Sequence, residues 1–170
     1  MTPTPPLLGF VAFSGTGKTT LLVQLIPQLG KLGLRVGVIK HAHHSFDIDQ
    51  PGKDSFRLRQ AGASPVMVVS SKRRAIVYEY PEQGEIGLFA QLPFLVASEL
   101  DLILVEGFKA EPIPKIELHR PALGQPLLYP HDPHIIAVAS DVQFSCPLPW
   151  LDLNQPEAIA QFIVHDFLGC

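Results

Sequence analysis

The stretch that decides the fold of this chain is FVAFSGTGKTTLL, residues 10–22. An apolar run stops at a glycine-rich turn, and leucines resume directly after a lysine and two threonines. A strand that enters a helix through such a turn directs several free backbone N–H groups, and the positive end of the helix dipole, at one point. Phosphate oxygens can accept hydrogen bonds from these N–H groups. The stretch therefore predicts a phosphate-binding P-loop.

The chemistry of the individual residues predicts their roles in this loop. Gly15 and Gly17 allow backbone angles and a close ligand approach that a side chain would prevent. Lys18 reaches towards the β and γ phosphates, and the Thr19 hydroxyl is a ligand for Mg²⁺. Relative to the usual pattern G-x-x-x-x-G-K-[ST], Ala12 replaces the first glycine. The predicted nucleotide-binding residues of this segment are Ser14, Gly15, Thr16, Gly17, Lys18, Thr19 and Thr20.

Short apolar runs alternate with segments of helical period along the chain. Runs such as LILV at 102–105 and IIAVA at 135–139 suit strands that are buried on both faces. The pattern predicts an α/β fold of the P-loop NTPase type, in which helices flank a mostly parallel sheet. Predicted strands cover 8–13, 35–40, 65–69, 75–80, 100–105, 115–118 and 135–139, and predicted helices cover 18 to about 30–33, 54–61, 86–97 and 156–168.

Length and composition limit the domain organisation and the class of protein. The 170 residues are expected to form a single nucleotide-binding domain, 1–170, with a proline-rich excursion of loop and short strand at about 111–133. A net charge of −3 argues against nucleic-acid binding through phosphate contacts. No apolar run reaches the roughly 18 to 20 residues of a membrane span, so we expect a cytoplasmic protein without a membrane partner.

A P-loop protein needs a carboxylate that helps to hold Mg²⁺ at the end of a neighbouring strand. Glu106 ends the run LDLILV and is the preferred metal residue together with Thr19. Asp101 is the competing candidate. Five residues of strand, at about 3.3 Å each, separate the two acids by roughly 16 Å, so both cannot bind one metal.

The segment IKHAHHSFDIDQPGKDS, residues 39–55, is too polar to interpret only as a connection. Zinc binding by His41, His43 and His44 is one hypothesis, although no further residue at suitable spacing completes the site. Polar contacts with the γ phosphate, its metal or an attacking water are favoured, and a solvated loop with Asp54 capping the next helix is the alternative. The candidate contacts are His41, His43, Asp47, Asp49 and Lys53, with Asp54 as a further acid.

Five stretches in this order resemble the family of molybdopterin-guanine dinucleotide biosynthesis protein B (MobB). They span about four fifths of the chain and, beyond the P-loop, make the resemblance specific. The stretches are SGTGKTTLL at 14–22, IKHAHH at 39–44, PGKDSFRLRQAGA at 51–63, LDLILVEGFK at 100–109 and HIIAVASD at 134–141.

The resemblance implies a homodimeric adapter that binds GTP with Mg²⁺ and has at most weak GTPase activity. It implies a partner enzyme, a MobA-like guanylyltransferase that attaches guanine nucleotide to molybdopterin. Gly15, Gly17, Lys18 and Thr19 carry over as phosphate and metal residues, and Glu106 carries over as the acidic strand end. The histidine-rich and Lys53 segments are implied to lie near the nucleotide or the pterin.

The residues alone do not distinguish GTP from ATP. The N-K-x-D motif that selects guanine in many P-loop GTPases is absent from the sequence. Asp141, which follows the strand IIAVA, is the candidate for contacting the base, although the three residues before it depart from the motif. Asp152 and Asn154 are competing candidates.

A small-molecule kinase is the alternative function, with Asp47 or Asp49 positioning an acceptor hydroxyl. A kinase would need an arginine-rich lid, and the sequence does not identify one. Hydrolysis needs a group that stabilises the transferred phosphoryl charge. The sequence offers Arg57, Arg59, Arg73 and Arg74, which are interpreted as solvated surface charges.

Overall fold

The computed structural model describes residues 4–42, 46–80, 84, 86–95 and 99–170 of the chain. These form two compact units. The first, which we call the sheet unit, comprises Met1–His41 and Leu88–Cys170, and the second, the hairpin unit, comprises Ala42–Gly87.

Parallel pairing dominates the strands of the described residues. The strands are β1 (Leu7–Val11), β2 (Val36–Lys40), β3 (Val66–Val69), β4 (Arg74–Val77), β5 (Leu102–Glu106), β6 (Lys115–His119), β7 (Ile135–Ser140) and β8 (Trp150–Asp152). All of them except β3 and β4 join one six-stranded sheet in the order β2-β5-β1-β6-β7-β8, and every neighbouring pair in it is parallel. This confirms the predicted fold class.

Helices cover both faces of this sheet. On one face, Leu25 and Leu29 from the first helix and Ile159 from the last are fully buried against apolar strand residues. On the other face, Leu88 and Leu92 pack against Ile103 and Val105. Among the described residues, no helix has the length and apolar character needed to span a membrane. The helices of the sheet unit are α1 (Lys18–Lys31), α3 (Leu88–Gln91) and α4 (Pro156–Phe162). The hairpin unit has its own helix, α2 (Asp54–Gln60).

The proline-rich stretch contains a central strand of the sheet and is more than an excursion. Strand β6 lies between β1 and β7, and each of its residues is buried. Its alternating polar residues resemble an exposed strand, but the loop that follows β6 covers their face. Lys115 Nζ lies 2.8 Å from Asp132 Oδ2, and Glu117 accepts the backbone N–H groups of Leu128 and Tyr129. Burial raises the pKa of Glu117, although these two N–H groups act to lower it.

Several element ends differ from the predicted ones. Of the predicted helix at 86–97, the described residues 86–95 form only α3 and a 3₁₀ turn, Leu92–Phe94, because Pro93 cannot continue an α-helix. Residues 96 and 97 lie outside the described residues. The last helix turns into a π-helical segment, Ile163–Phe167. Strand β8 was not predicted, since three residues are too short to show a period.

The hairpin unit holds the remaining strands. β3 and β4 pair antiparallel with each other, so these two predicted strands do not belong to the parallel sheet. No residue of α2 is buried, and Met67, Val69 and Ile76 of the hairpin are exposed although they are apolar.

Candidate nucleotide-binding site

The P-loop connects β1 to α1 at the carboxyl edge of the sheet. Gly15 and Gly17 have φ values of 79° and 99°, in the left-handed region that side chains disfavour. The buried Thr16 closes the turn, because its hydroxyl donates to the carbonyl of Phe13 at 2.9 Å. Helix α1 begins at Lys18 without a side-chain cap. Its first N–H groups therefore suit an anion at the mouth of the loop.

The side chain of Lys18 folds back over this loop. Its Nζ donates to the carbonyl of Ala12 at 3.3 Å. Burial lowers the pKa of Lys18, repulsion from Lys109 and Lys40 lowers it further, and the attraction of Glu106 opposes them. Burial and repulsion from the other lysines both disfavour the charged form of Lys18. A phosphate group in the loop would offset both effects, because it supplies negative charge and hydrogen-bond acceptors.

The Thr19 hydroxyl and Glu106 come together as the sequence predicts. Thr19 Oγ1 lies 3.2 Å from Glu106 Oε1, and Lys40 Nζ lies 3.2 Å from Glu106 Oε2. Glu106 is the register partner of both Phe10 in β1 and Lys40 in β2, so the sheet itself fixes its place beside the P-loop. A hydroxyl and a carboxylate are hard oxygen donors, which Mg²⁺ prefers.

Asp101, the competing acid, lies at the opposite edge of the sheet. It precedes β5, and its Oδ2 accepts the backbone N–H of Arg35 at 2.7 Å. The Arg35 side chain pairs with the same carboxylate, at 3.2 Å from Nε to Oδ2. The alternative in which Asp101 serves the P-loop metal is therefore wrong.

The predicted base-contacting residue, Asp141, directly follows β7 at the carboxyl edge. Its Oδ2 lies 2.6 Å from Nη1 of Arg120, and Arg120 Nε donates to the carbonyl of Thr16 at 3.0 Å. The competing Asp152 is occupied by its own turn, because its carboxylate accepts from the Asn154 backbone and from the Gln155 amide. The geometry therefore favours Asp141 as the acid associated with the P-loop.

His41 directly follows β2 in the sheet unit. Its ring stacks on Phe108 with a centroid separation of 4.7 Å, and a Cβ on Gly107 would lie only 2.7 Å from His41 Cβ. His43 and His44 lie outside the described residues. Within the ranges that the structure describes, no group of three histidines, cysteines or acids is suited to hold a metal ion.

Asp47 and Asp49 bind an arginine of their own unit. Arg59, with only 7% of its side chain exposed, lies 2.8 Å from Asp47 Oδ2 and 3.2 Å from Asp49 Oδ2. The Asp49 backbone N–H and then Arg59 lower the pKa of Asp47. The interpretation of Arg59 as a solvated surface charge is therefore wrong.

The remaining residues of this segment lie on or next to α2. Lys53 is the N-cap position of the helix and is exposed, and Asp54 is its first residue. Asp54 is therefore not the cap. The contacts proposed between a ligand and Asp47, Asp49 or Lys53 stay predictions.

Residues 7–141 match the family model of molybdopterin guanine dinucleotide synthesis protein B, MobB. The chain belongs to the MobB family. The molybdopterin-guanine dinucleotide biosynthesis adapter protein of Escherichia coli (strain K12) is 51% identical over 94% of this chain and 92% of its own length. The protein of the same description from Haemophilus influenzae is 45% identical over 96% and 92% of the two chains.

Solved structures of the MobB family have the same fold. A crystal structure of molybdopterin-guanine biosynthesis protein B superposes with a TM-score of 0.75 and 27% identity, over 95% of this chain and 99% of that one. A crystal structure of MobB from Bacillus subtilis gives a TM-score of 0.71 over 94% and 96% of the two chains.

Three further basic residues, which the sequence motifs do not indicate, lie at the site of this MobB family member. Lys40 pairs with Glu106, Lys109 lies 5.6 Å above the ring of Phe13, and Arg120 joins the P-loop to Asp141. The position of each at the carboxyl end of a strand, or just after it, was the available signal. Lys40 and Lys109 add to the positive charge around Lys18 and favour a polyanionic ligand.

Proposed function

We propose that this chain is a GTP-binding adapter that assists a MobA-like guanylyltransferase in converting molybdopterin to molybdopterin guanine dinucleotide. Membership of the MobB family gives it an accessory role in that synthesis. One observation carries the nucleotide assignment: Thr19 Oγ1 and Glu106 Oε1 lie 3.2 Å apart beside the glycine-rich P-loop. Lys18, Lys40 and Lys109 surround this pair with positive charge.

Each group at the site has a role in the proposed complex. The backbone N–H groups of residues 14–20 and the ammonium of Lys18 hold the phosphate oxygens. Thr19 and Glu106 hold Mg²⁺, which neutralises charge on the phosphates when it is bound. Asp141 accepts N–H groups of the guanine base. Arg120 is hydrogen bonded to Thr16 and Asp141 and therefore does not stabilise the charge of a transferred phosphoryl group. This agrees with tight nucleotide binding and slow hydrolysis.

Two measurements test this proposal. Calorimetry with GTP and MgCl₂ should give saturable binding by the purified chain, and EDTA should weaken it. Guanylyltransferase, molybdopterin and GTP should then yield dinucleotide faster when the chain is added. The absence of a heat of binding would contradict the proposed nucleotide binding. An unchanged rate of dinucleotide formation would contradict the proposed assistance to the guanylyltransferase.

The active form in this proposal is a homodimer. Support comes from the hairpin unit, where Met67, Val68 and Val69 of β3 are exposed although they are apolar. Light scattering should therefore give about twice the mass of the 18.6 kDa chain. A mass equal to one chain would contradict this part of the proposal.

A small-molecule kinase is the second candidate. The tetraacyldisaccharide 4'-kinase of Pseudomonas fluorescens is 32% identical over 106 residues, which cover 60% of this chain and 30% of that enzyme. Against this function, Asp47 and Asp49 are both already paired with Arg59. Incubation with γ-labelled GTP and molybdopterin separates the two functions, because stoichiometric transfer of label to a small product would favour the kinase.

A further inference from the structure

Arg120 lies between the two parts of the proposed nucleotide site, the phosphate-binding P-loop and the base-contacting Asp141. The sheet order puts β6 between β1 and β7, and Arg120 directly follows β6. The P-loop follows β1 and Asp141 follows β7. Arg120 is therefore the residue from which one side chain can contact the phosphate loop and the base-contacting acid together.

The guanidinium makes both contacts. Nε donates to the carbonyl of Thr16 at 3.0 Å, and Nη1 donates to Asp141 Oδ2 at 2.6 Å. A Cβ on Gly17 would lie 3.9 Å from Nη2, so the planar group lies alongside the loop backbone. Because a guanidinium has a rigid fork of donors, fixing Nε on the loop also fixes the direction in which Nη1 holds the carboxylate.

Asp141 keeps one oxygen that this pairing does not use. Oδ1 is shielded from solvent and has no hydrogen-bond partner among the residues that the structure describes. A buried carboxylate oxygen without a donor is unfavourable. A hydrogen bond donated to Oδ1 by a ligand N–H would remove this cost.

We propose that Arg120 is a positioning residue for base selection, which holds Asp141 by Oδ2 and leaves Oδ1 for the N1–H and amino group of guanine. This inference rests on the proposed GTP-binding function. Guanine presents a donor at N1, whereas adenine presents an unprotonated nitrogen that a carboxylate repels. Selectivity for GTP over ATP should therefore depend on Arg120 although Arg120 need not contact the base.

The test compares the dissociation constants of GTP and ATP, with MgCl₂, for the wild-type chain and for R120M, D141N and the double variant. A hydrogen bond to a charged group is worth about ten- to hundredfold, so R120M and D141N should each reduce the GTP preference by about that factor. The double variant should lose little more than either single one, because the two residues act as a unit. R120K should recover part of the preference.

Arg35 supplies the matched control. It is also bonded to an aspartate, Asp101, but at the other edge of the sheet. R35M should leave the GTP preference unchanged. Circular dichroism checks the fold of each variant, and if R120M does not fold, the preference of R120K and D141N decides instead.

The outcomes separate this inference from the proposed function. A wild-type chain that binds no nucleotide removes the function itself. A wild-type chain that binds GTP and ATP equally, or an R120M variant that weakens both nucleotides equally or neither, overturns only the role of Arg120. Loss of GTP preference in R120M with retained ATP binding supports it.

Discussion

Two arginine–aspartate pairs lie at opposite edges of the same sheet. Arg35 and Asp101 precede β2 and β5 at the amino edge, whereas Arg120 and Asp141 follow β6 and β7 at the carboxyl edge. In the first pair both carboxylate oxygens accept hydrogen bonds from Arg35, and Glu99 accepts another from it. In the second pair, Asp141 Oδ1 is left without a partner among the described residues, and Arg120 also bonds the P-loop.

In the Arg35–Asp101 pair both carboxylate oxygens already accept hydrogen bonds, whereas in the Arg120–Asp141 pair one carboxylate oxygen can still accept a hydrogen bond from a ligand. Arg35 fastens the start of one strand to its neighbour and needs nothing more. The carboxyl edge also gathers Lys18, Lys40 and Lys109 around the carboxylate of Glu106. Concentrated positive charge at a helix N-terminus is unfavourable until an anion binds, so we expect nucleotide effects at this edge and only stability effects at the other.

The largest expected effect is the weakening of nucleotide binding in K18A. The ammonium contacts phosphate oxygens in the proposed complex, so removing it should weaken GTP binding by about hundredfold. Because burial lowers the pKa of Lys18, its removal should not destabilise the empty fold. Calorimetry measures the first effect and thermal unfolding the second.

Lys31 is the control for this prediction. It lies in the last turn of the same helix and donates to Gln28. K31A should bind GTP as the wild-type chain does. Equal binding by K18A and the wild-type chain would contradict the assignment of the P-loop.

The second effect concerns Mg²⁺ and compares the acids at the two edges. E106Q should raise the MgCl₂ concentration needed for half-maximal GTP binding by about 10- to 100-fold, because an amide oxygen is a poorer ligand for the cation than a carboxylate oxygen. D101N should leave that dependence unchanged, since Asp101 is bonded to Arg35 at the far edge. Titrating MgCl₂ at fixed GTP measures both. Equal shifts of the Mg²⁺ titration in D101N and E106Q would contradict the assignment of the Mg²⁺ role to the carboxyl edge.

The smallest expected effect is on stability against pH. Hydrogen bonds from Arg35 lower the pKa of Asp101 below its ordinary 3.8, so its stabilisation is present above pH 3.8 and is lost as the pH falls through the folded-state pKa. Burial raises the pKa of Glu117 above 4.5, so its contribution becomes less favourable as the pH rises from 4.5 through the folded-state pKa. The two acids should therefore give opposite slopes.

Urea unfolding of the wild-type chain, D101N and E117Q from about pH 3 to pH 7 measures these slopes. Slopes are compared, and not absolute stabilities, because the amide of E117Q cannot accept both N–H groups of Leu128 and Tyr129. The destabilisation caused by D101N should shrink at low pH. The stability of E117Q relative to the wild-type chain should rise with pH, and parallel curves would contradict the role of burial at Glu117.

Much of the fold could be predicted from the sequence because its signals are local. The strand–turn–helix at 10–22 and the apolar strands β5 and β7 show their periods within a few residues. The sequence also predicts strand β6 at the correct position, but its proline-rich surroundings do not indicate that it is a central strand. The partners that bury Lys115 and Glu117 lie further along the chain, at Asp132 and at Leu128 and Tyr129.

The candidate site was predictable only in part. Glu106 was found from its place at a strand end, and the register of β5 with its neighbours explains why that place lies beside Thr19. The polar sequence around Asp47 and Asp49 predicts ligand contacts, but the burial of Arg59 against them depends on packing within the hairpin unit. Arg120 carries no motif at all.

The sequence by itself determined the P-loop, the parallel α/β architecture and the family, because backbone conformation at a glycine turn and hydrophobic period are local properties. Only the tertiary structure decided which strands are neighbours. That order brings Arg120 between Thr16 and Asp141 across more than a hundred residues of chain. Since hydrogen bonds and charge interactions act over a few ångströms in space, the spacing of these residues along the sequence could not reveal their contacts.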